Sequence, residues 1–333
     1  MKKRLFGITK SNEEVFCYSL FDNENYVNIL NYGATIQSLV VKNKNNELVD
    51  VVLGFDNINQ YEQEENRTFM GAVCGRYANR IANGRFYING HKYTLARNNN
   101  GNCLHGGENG FDKCIFQVDD FTENSIILSL LSKDGDSGFP GDLWLKVKYT
   151  FKNSTLTIEY FANTNKDCPI NITNHSYFNL MGKGDILTHK LQLNSDYYMD
   201  TNDDGLANGN IIKTTNTPFD FSIYKEINEA TKFMDIDHHF YINPSTTYYT
   251  RLGTLIAPDN SLSMDIYTDQ CGAQIYTGNS IVDNISKCGV ISKYSGICFE
   301  TQSVPNAMEF SYLPSPILKV NEQYSHRSHY KFY

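Results

Sequence analysis

The sequence predicts an all-β fold, an antiparallel sandwich or barrel with a few short helices. Three observations predict it. Apolar and polar residues alternate with period two in several short runs, turn dipeptides separate those runs, and helical spacing is scarce.

Taken in chain order, the first alternating run covers residues 35–41, and residues 57–64 have the spacing for a turn or two of helix. Asn83-Gly84 and Asn89-Gly90 then mark tight turns. A second run, 126–131, ends at the Asp134-Gly135 turn. The clearest strand follows at 143–151, where every odd position is apolar or aromatic and Lys146, Lys148 and Thr150 take the other face. Runs at 155–161 and 191–199 precede the Asp204-Gly205 turn. Residues 222–234 place Ile223, Ile227, Ala230 and Met234 at helical spacing, which predicts a helix decorating the β scaffold, and the run 291–300 completes the set.

At about 150 residues per domain, 333 residues would make two, yet all-β folds often spend about 200–250 or more on one. No proline-rich linker, low-complexity tract or repeat interrupts the chain, so residues 1–333 are read as a single domain. A chain of this size buries roughly 75% of the surface its unfolded form exposes, and its core needs no staples. Eight cysteines without a CxxC pair suggest reduced thiols. No apolar run approaches the ~18 residues of a membrane span, and no apolar stretch follows the basic start, which predicts a cytoplasmic protein without a membrane partner. A net charge of −8 without a basic block argues against nucleic acid. GxGxxG, P-loop, HExxH and GxSxG motifs are all missing from the sequence, so nucleotide-dependent, zincin and α/β-hydrolase chemistries have no support.

Five segments concentrate polar groups beside turns. Residues 75–81 hold Arg76, Asn79 and Arg80, whose guanidinium forks suit paired hydroxyls or an anion. His105 stands before Gly106 and Gly107, where backbone can approach a ligand closely. His175 is flanked by Asn174, Ser176 and Asn179. Asp237 precedes His238 and His239, which point to opposite faces if extended and so make a poor metal site. Glu300 ends a largely apolar strand, where desolvation raises a carboxyl pKa toward neutrality. One candidate base, two imidazoles and a second carboxylate, with no metal ligand set and no cofactor loop, suit proton transfer on a neutral polar substrate such as a sugar.

These segments belong to an ordered series that resembles the aldose 1-epimerase (galactose mutarotase) family over nearly the whole chain. The matching pieces include residues 31–35, 52–56, 75–81, 104–107, 110–113, 139–141, 173–180 (TNHSYFNL), 217–221, 237–238, 274–279 and 299–302. The resemblance implies a large antiparallel β-sandwich whose concave face holds a free aldose and interconverts its α and β anomers. It further implies that Glu300 is the general base, His175 the general acid and His105 a second active-site histidine. Asn79, Arg80, Asp237 and Gln274 match ligand-binding positions. No cofactor and no metal are implied, and the small-molecule aldose is the expected partner of a monomer or a homodimer.

Opening a hemiacetal requires removal of the O1 proton as the ring oxygen O5 receives one, so a carboxylate and a protonated imidazole are expected to face each other across the sugar. The chain departs from the family at Phe116 (often Trp), Ala207 (commonly Pro) and Asn306 (usually Asp). Rival readings are a hexose-6-phosphate 1-epimerase using Arg76 and Arg97, a glycoside hydrolase using Asp237 and Glu300, and a non-catalytic sugar-binding protein.

Overall fold

The computed structural model describes residues 2–64, 67–243 and 249–333. Three antiparallel sheets carry the architecture. The N-terminal one is a five-stranded meander from Lys2–Ile8 to Leu48–Asp50. The second has nine strands: Gln117–Phe121, Ser125–Ser132, Leu143–Lys152 and Thr155–Thr164 follow in sequence, and the C-terminal Tyr324–Phe332 joins them to Ser263–Thr268, Thr250–Ile256, Lys190–Leu193 and Lys225–Glu226. The third, six-stranded sheet runs Tyr177–Phe178, Ile297–Gln302, Gly272–Tyr276, Asp237–Tyr241, Tyr197–Thr201, Ala207–Lys213.

Alternation decides which face each strand buries. In Leu143–Lys152 the residues Leu143, Leu145, Val147, Tyr149 and Phe151 are buried while Trp144 stands 44% exposed. All three sheets contribute to one apolar core, with Val27 and Ile36, Val147 and Ile158, and Ile275 and Phe299 among its members. The layers are therefore a sandwich, and hydrogen bonds cross it: Tyr149 donates to the Ala34 carbonyl at 2.6 Å and Tyr330 to that of Phe299 at 3.1 Å.

The all-β expectation holds, with differences at three elements. The run 191–199 is two strands in different sheets, Lys190–Leu193 and Tyr197–Thr201, because the chain turns between them at Asn194 and Ser195. The run 291–300 is likewise split into Gly289–Ile291 and Ile297–Gln302. Helix 222–234 shrinks to Ile227–Thr231, opened by a capping box between Glu226 and Glu229. The helix expected at 57–64 forms as Ile58–Tyr61 under an Asn57 cap, and Asn89-Gly90 makes its hairpin with both residues at positive φ. No helix among the described residues is long and apolar enough to cross a membrane.

Candidate active site

The six-stranded sheet supplies the floor. Its register sets Gln274 opposite both Glu300 and His239, and Asp237 opposite Tyr276. Since side chains alternate, Asp237, Gln274, Tyr276 and Glu300 share one face, and Ile275, Phe299 and His238 point to the core. His238 indeed packs on Phe219, with ring centroids 4.7 Å apart.

His175 sits in the break between two short strands. Thr173–Asn174 pairs with Val73–Cys74, and Tyr177–Phe178 pairs with the Glu300 strand, so the residue between them is carried in front of the carboxyl. His175 Nε2 lies 3.6 Å from Glu300 Oε1. Asn79 and His105 face each other just beyond another two-residue ladder, Arg80–Ile81 with Cys103–Leu104. Their contact is reciprocal: the His105 amide donates to the Asn79 carbonyl at 3.2 Å, and the Asn79 amide donates to His105 Nδ1 at 3.1 Å. Gly106, at φ +85°, is required behind them, because a Cβ there would stand 2.0 Å from the Gly75 carbonyl oxygen.

Arg80 is held by three acceptors. Its Nε donates to Asn99 Oδ1 at 3.0 Å, its Nη1 to the Gly205 carbonyl at 3.0 Å, and Nη1 stands 3.9 Å from Asp237 Oδ2. Gly205 stands at φ +77°, and a Cβ there would sit 2.9 Å from the guanidinium carbon and push Arg80 from its place. Gln274 Nε2 donates to Asp237 Oδ1 at 2.7 Å.

These residues line a polar pocket open to solvent. Six of the seven site residues predicted from sequence line it: Glu300, His175, His105, Asn79, Arg80 and Asp237. Gln274 lies beneath, bonded to Asp237 and bordering a smaller adjoining void. Arg67, Phe69, Asn99 and Tyr276, which the sequence does not single out as site residues, also line the pocket, together with Leu104, Tyr177 and Ser280. Arg76 and Arg97 do not enter the pocket. Arg76 is fully buried, its fork spent on the carbonyls of Ser132, Lys133, Pro140 and Gly141, and the exposed Arg97 donates to the Asn83 carbonyl.

Burial sets the charge state. Glu300 is pushed well above the usual carboxylate range by desolvation and then by the Asp237 charge, against the pull of Arg80. Desolvation pushes His175 down to about 4, against a hydrogen bond to its own carbonyl and the Asp237 charge. His105 is driven well below its ordinary value by burial, then by His175, Arg80 and Arg67. Burial therefore favours the uncharged form of each partner, the carboxylic acid of Glu300 and the neutral imidazole of His175. Glu300 Oε2 is buried and has no hydrogen-bond partner among the described residues.

The ligating atoms of His105, His175 and Glu300 lie within 4.8 Å of one another, a spacing a cation could bridge. The tautomer works against it. With Nδ1 accepting the Asn79 amide, the neutral His105 ring carries its proton on Nε2, and a cation there would force that proton against a second donor.

Comparison with known proteins agrees with this geometry. A family model described as aldose 1-epimerase matches residues 17–331. The galactose mutarotase of Bos taurus is 36% identical over 322 residues, 95% of this chain and 93% of its own. The aldose 1-epimerase of Haemophilus influenzae is 37% identical over 299 residues, 85% of each chain. The crystal structure of an aldose epimerase homologue from C. elegans matches with a TM-score of 0.90 at 27% identity, covering 95% of this chain and 98% of that one. From sheet topology, pocket and sequence together, the chain belongs to the aldose 1-epimerase family.

Proposed function

We propose that the protein is an isomerase, an aldose 1-epimerase that interconverts the α and β anomers of free aldohexoses such as galactose and glucose. The observation that carries this reading is the buried Glu300 and His175 pair, 3.6 Å apart in a polar pocket also lined by Asn79, Arg80 and Asp237. Ring opening starts when Glu300, as carboxylate, takes the O1 proton while the His175 imidazolium gives one to O5. Rotation about C1–C2 exposes the other carbonyl face. Reclosure then uses the neutral imidazole to take the O5 proton and the carboxylic acid to return one to O1.

Each half of the cycle begins with one proton on the pair, so turnover needs no net exchange with solvent and no cofactor. Transfer between Oε1 and Nε2 converts one starting state to the other. Desolvation favours the neutral arrangement, the one from which reclosure starts. His105, as a neutral Nε2–H donor, supports the developing charge on the sugar oxygens. Asn79, Arg80 and Asp237 hold hydroxyls, with Gln274 fixing the Asp237 carboxylate.

Arg76 is committed to backbone carbonyls, which favours a free sugar over a sugar phosphate. The eight free thiols support a cytoplasmic setting. A shared core drawing on residues from Tyr18 to Phe332 supports one domain, in a monomer or a homodimer that light scattering distinguishes. The test is polarimetry of freshly dissolved α-D-galactose and α-D-glucose at neutral pH. Acceleration by the wild type but not by Glu300→Gln is expected; no acceleration of either sugar by folded protein overturns the assignment.

A further inference from the structure

Phe69 has no assigned role, yet its backbone sits at φ +53°, a conformation bulky residues rarely adopt. Such a conformation persists only where the surroundings over-determine it, and they do so here. The Ala72 amide donates to the Phe69 carbonyl at 3.0 Å, and Tyr177 Oη donates to the Thr68 carbonyl at 2.9 Å. Two residues on, the Gly71 amide donates to the His175 carbonyl and the His175 amide to the Ala72 carbonyl, both at 2.9 Å, while Asn174 Nδ2 donates to the Gly71 carbonyl at 2.8 Å. The turn that bears Phe69 is thus stitched to the backbone that bears His175.

The ring is fixed as well as the backbone. The Arg67 guanidinium lies 4.4 Å from its centroid and is itself anchored through Nε to the buried Asp112 Oδ2 at 2.9 Å. Phe69 also meets both active-site imidazoles, His105 at 4.6 Å and His175 at 5.9 Å between centroids, and the two imidazoles meet edge to face at 5.3 Å. The strained residue is where both histidines are packed, on the wall of the pocket.

We propose that Phe69 is a positioning residue of the epimerase site: its ring, clamped by Arg67, fixes the orientation of His105 and His175 and keeps water from their faces. This rests on the acid and base assignment given above. The charged groups that face the two imidazoles are Glu300, Asp237, Arg80 and Arg67, and all remain when the ring is removed.

The test uses Phe69→Leu and Phe69→Gly in the full chain, the second because glycine adopts this φ without strain, with Phe69→Tyr as the conservative variant. Polarimetry separates kcat from KM, and imidazole NMR without sugar follows both histidines, assigned through His105→Gln and His175→Asn. Phe69→Leu and Phe69→Gly should lower kcat about tenfold with KM changed less than about threefold, and Phe69→Tyr should restore it. Both histidines should titrate higher by at least about half a pH unit in the two ring-deleted variants. A lowered melting temperature with kcat and both titrations unchanged means a merely structural ring and overturns the proposal. If the wild type fails to mutarotate any sugar, the functional assignment falls, and the imidazole titrations alone still decide whether Phe69 governs the pair.

Discussion

Desolvation moves the pKa values of the facing pair in opposite directions, Glu300 upward and His175 down to about 4, which favours a single shared proton. The single-proton state therefore spans a wide window. The kcat/KM profile is expected to stay flat on the acid side down to about pH 5, with its alkaline limb moved up from the ordinary carboxylate range. It falls on the acid side as His175 takes up a second proton and on the alkaline side as Glu300 gives up the only one. A narrow bell centred near pH 6.5 would contradict this. Glu300→Gln and His175→Asn should fold, bind sugar and lose about 10²–10⁴-fold in kcat, read by polarimetry beside a binding titration. Glu300, His175, Asn79 and Arg80 were legible in the sequence because the chain carries ordered motifs around them. Phe69 and Arg67 were not, because their roles depend on a turn conformation and on ring contacts across the pocket that no local pattern records. The location of the proton was also hidden, since burial of 98% at Glu300 is a property of the folded molecule.

At the scale of elements, Arg76 shows how a site-like motif becomes scaffold. Residues 75–81 supply two arginines, one for the pocket and one for the connection between Ser125–Ser132 and Leu143–Lys152, where Arg76 Nη1 donates to the Pro140 and Gly141 carbonyls, both at 2.8 Å. Arg76→Leu leaves those buried carbonyls without donors and should cost at least about 3 kcal/mol in urea unfolding, with KM unchanged in the protein that remains folded. A change in KM without a loss of stability would return Arg76 to the site. Strands 143–152 and 155–164 were readable because one face meets the core along their full length. Runs 191–199 and 291–300 were not, since apolar residues resume on both sides of the short polar breaks at Asn194–Asp196 and Ser292–Gly296 and mask the end of one strand and the start of the next. Asn306 was noted only as a departure; at φ +55° it bonds the Ala82 amide and the Ala207 carbonyl, uses that both an amide and an αL-tolerant residue satisfy.

Across the whole molecule, seven of the eight histidines are pushed below their ordinary value, chiefly by burial. For His175, His189 and His326 the folded value is about 4, and for His239 about 3. A depressed imidazole favours folding above its unfolded value near 6.5 and loses that contribution as pH falls, because the unfolded chain binds the proton first. Each costs up to about 1.4 kcal/mol per pH unit below that point. Glu300 and Asp112, both raised by burial, run the other way but are outnumbered. The melting temperature should therefore fall steadily between pH 6.5 and 4.5; a flat response in calorimetry would refute the buried, neutral state of these rings.

Trp144, the only tryptophan among 333 residues, stands on the solvent face of the nine-stranded sheet while the pocket is walled by tyrosines and a phenylalanine. Its indole is 44% exposed and does not line the pocket, so sugar binding is expected to leave tryptophan emission unchanged. The 23 tyrosines, many of them packed between the layers, make near-ultraviolet circular dichroism the optical signal that follows this molecule.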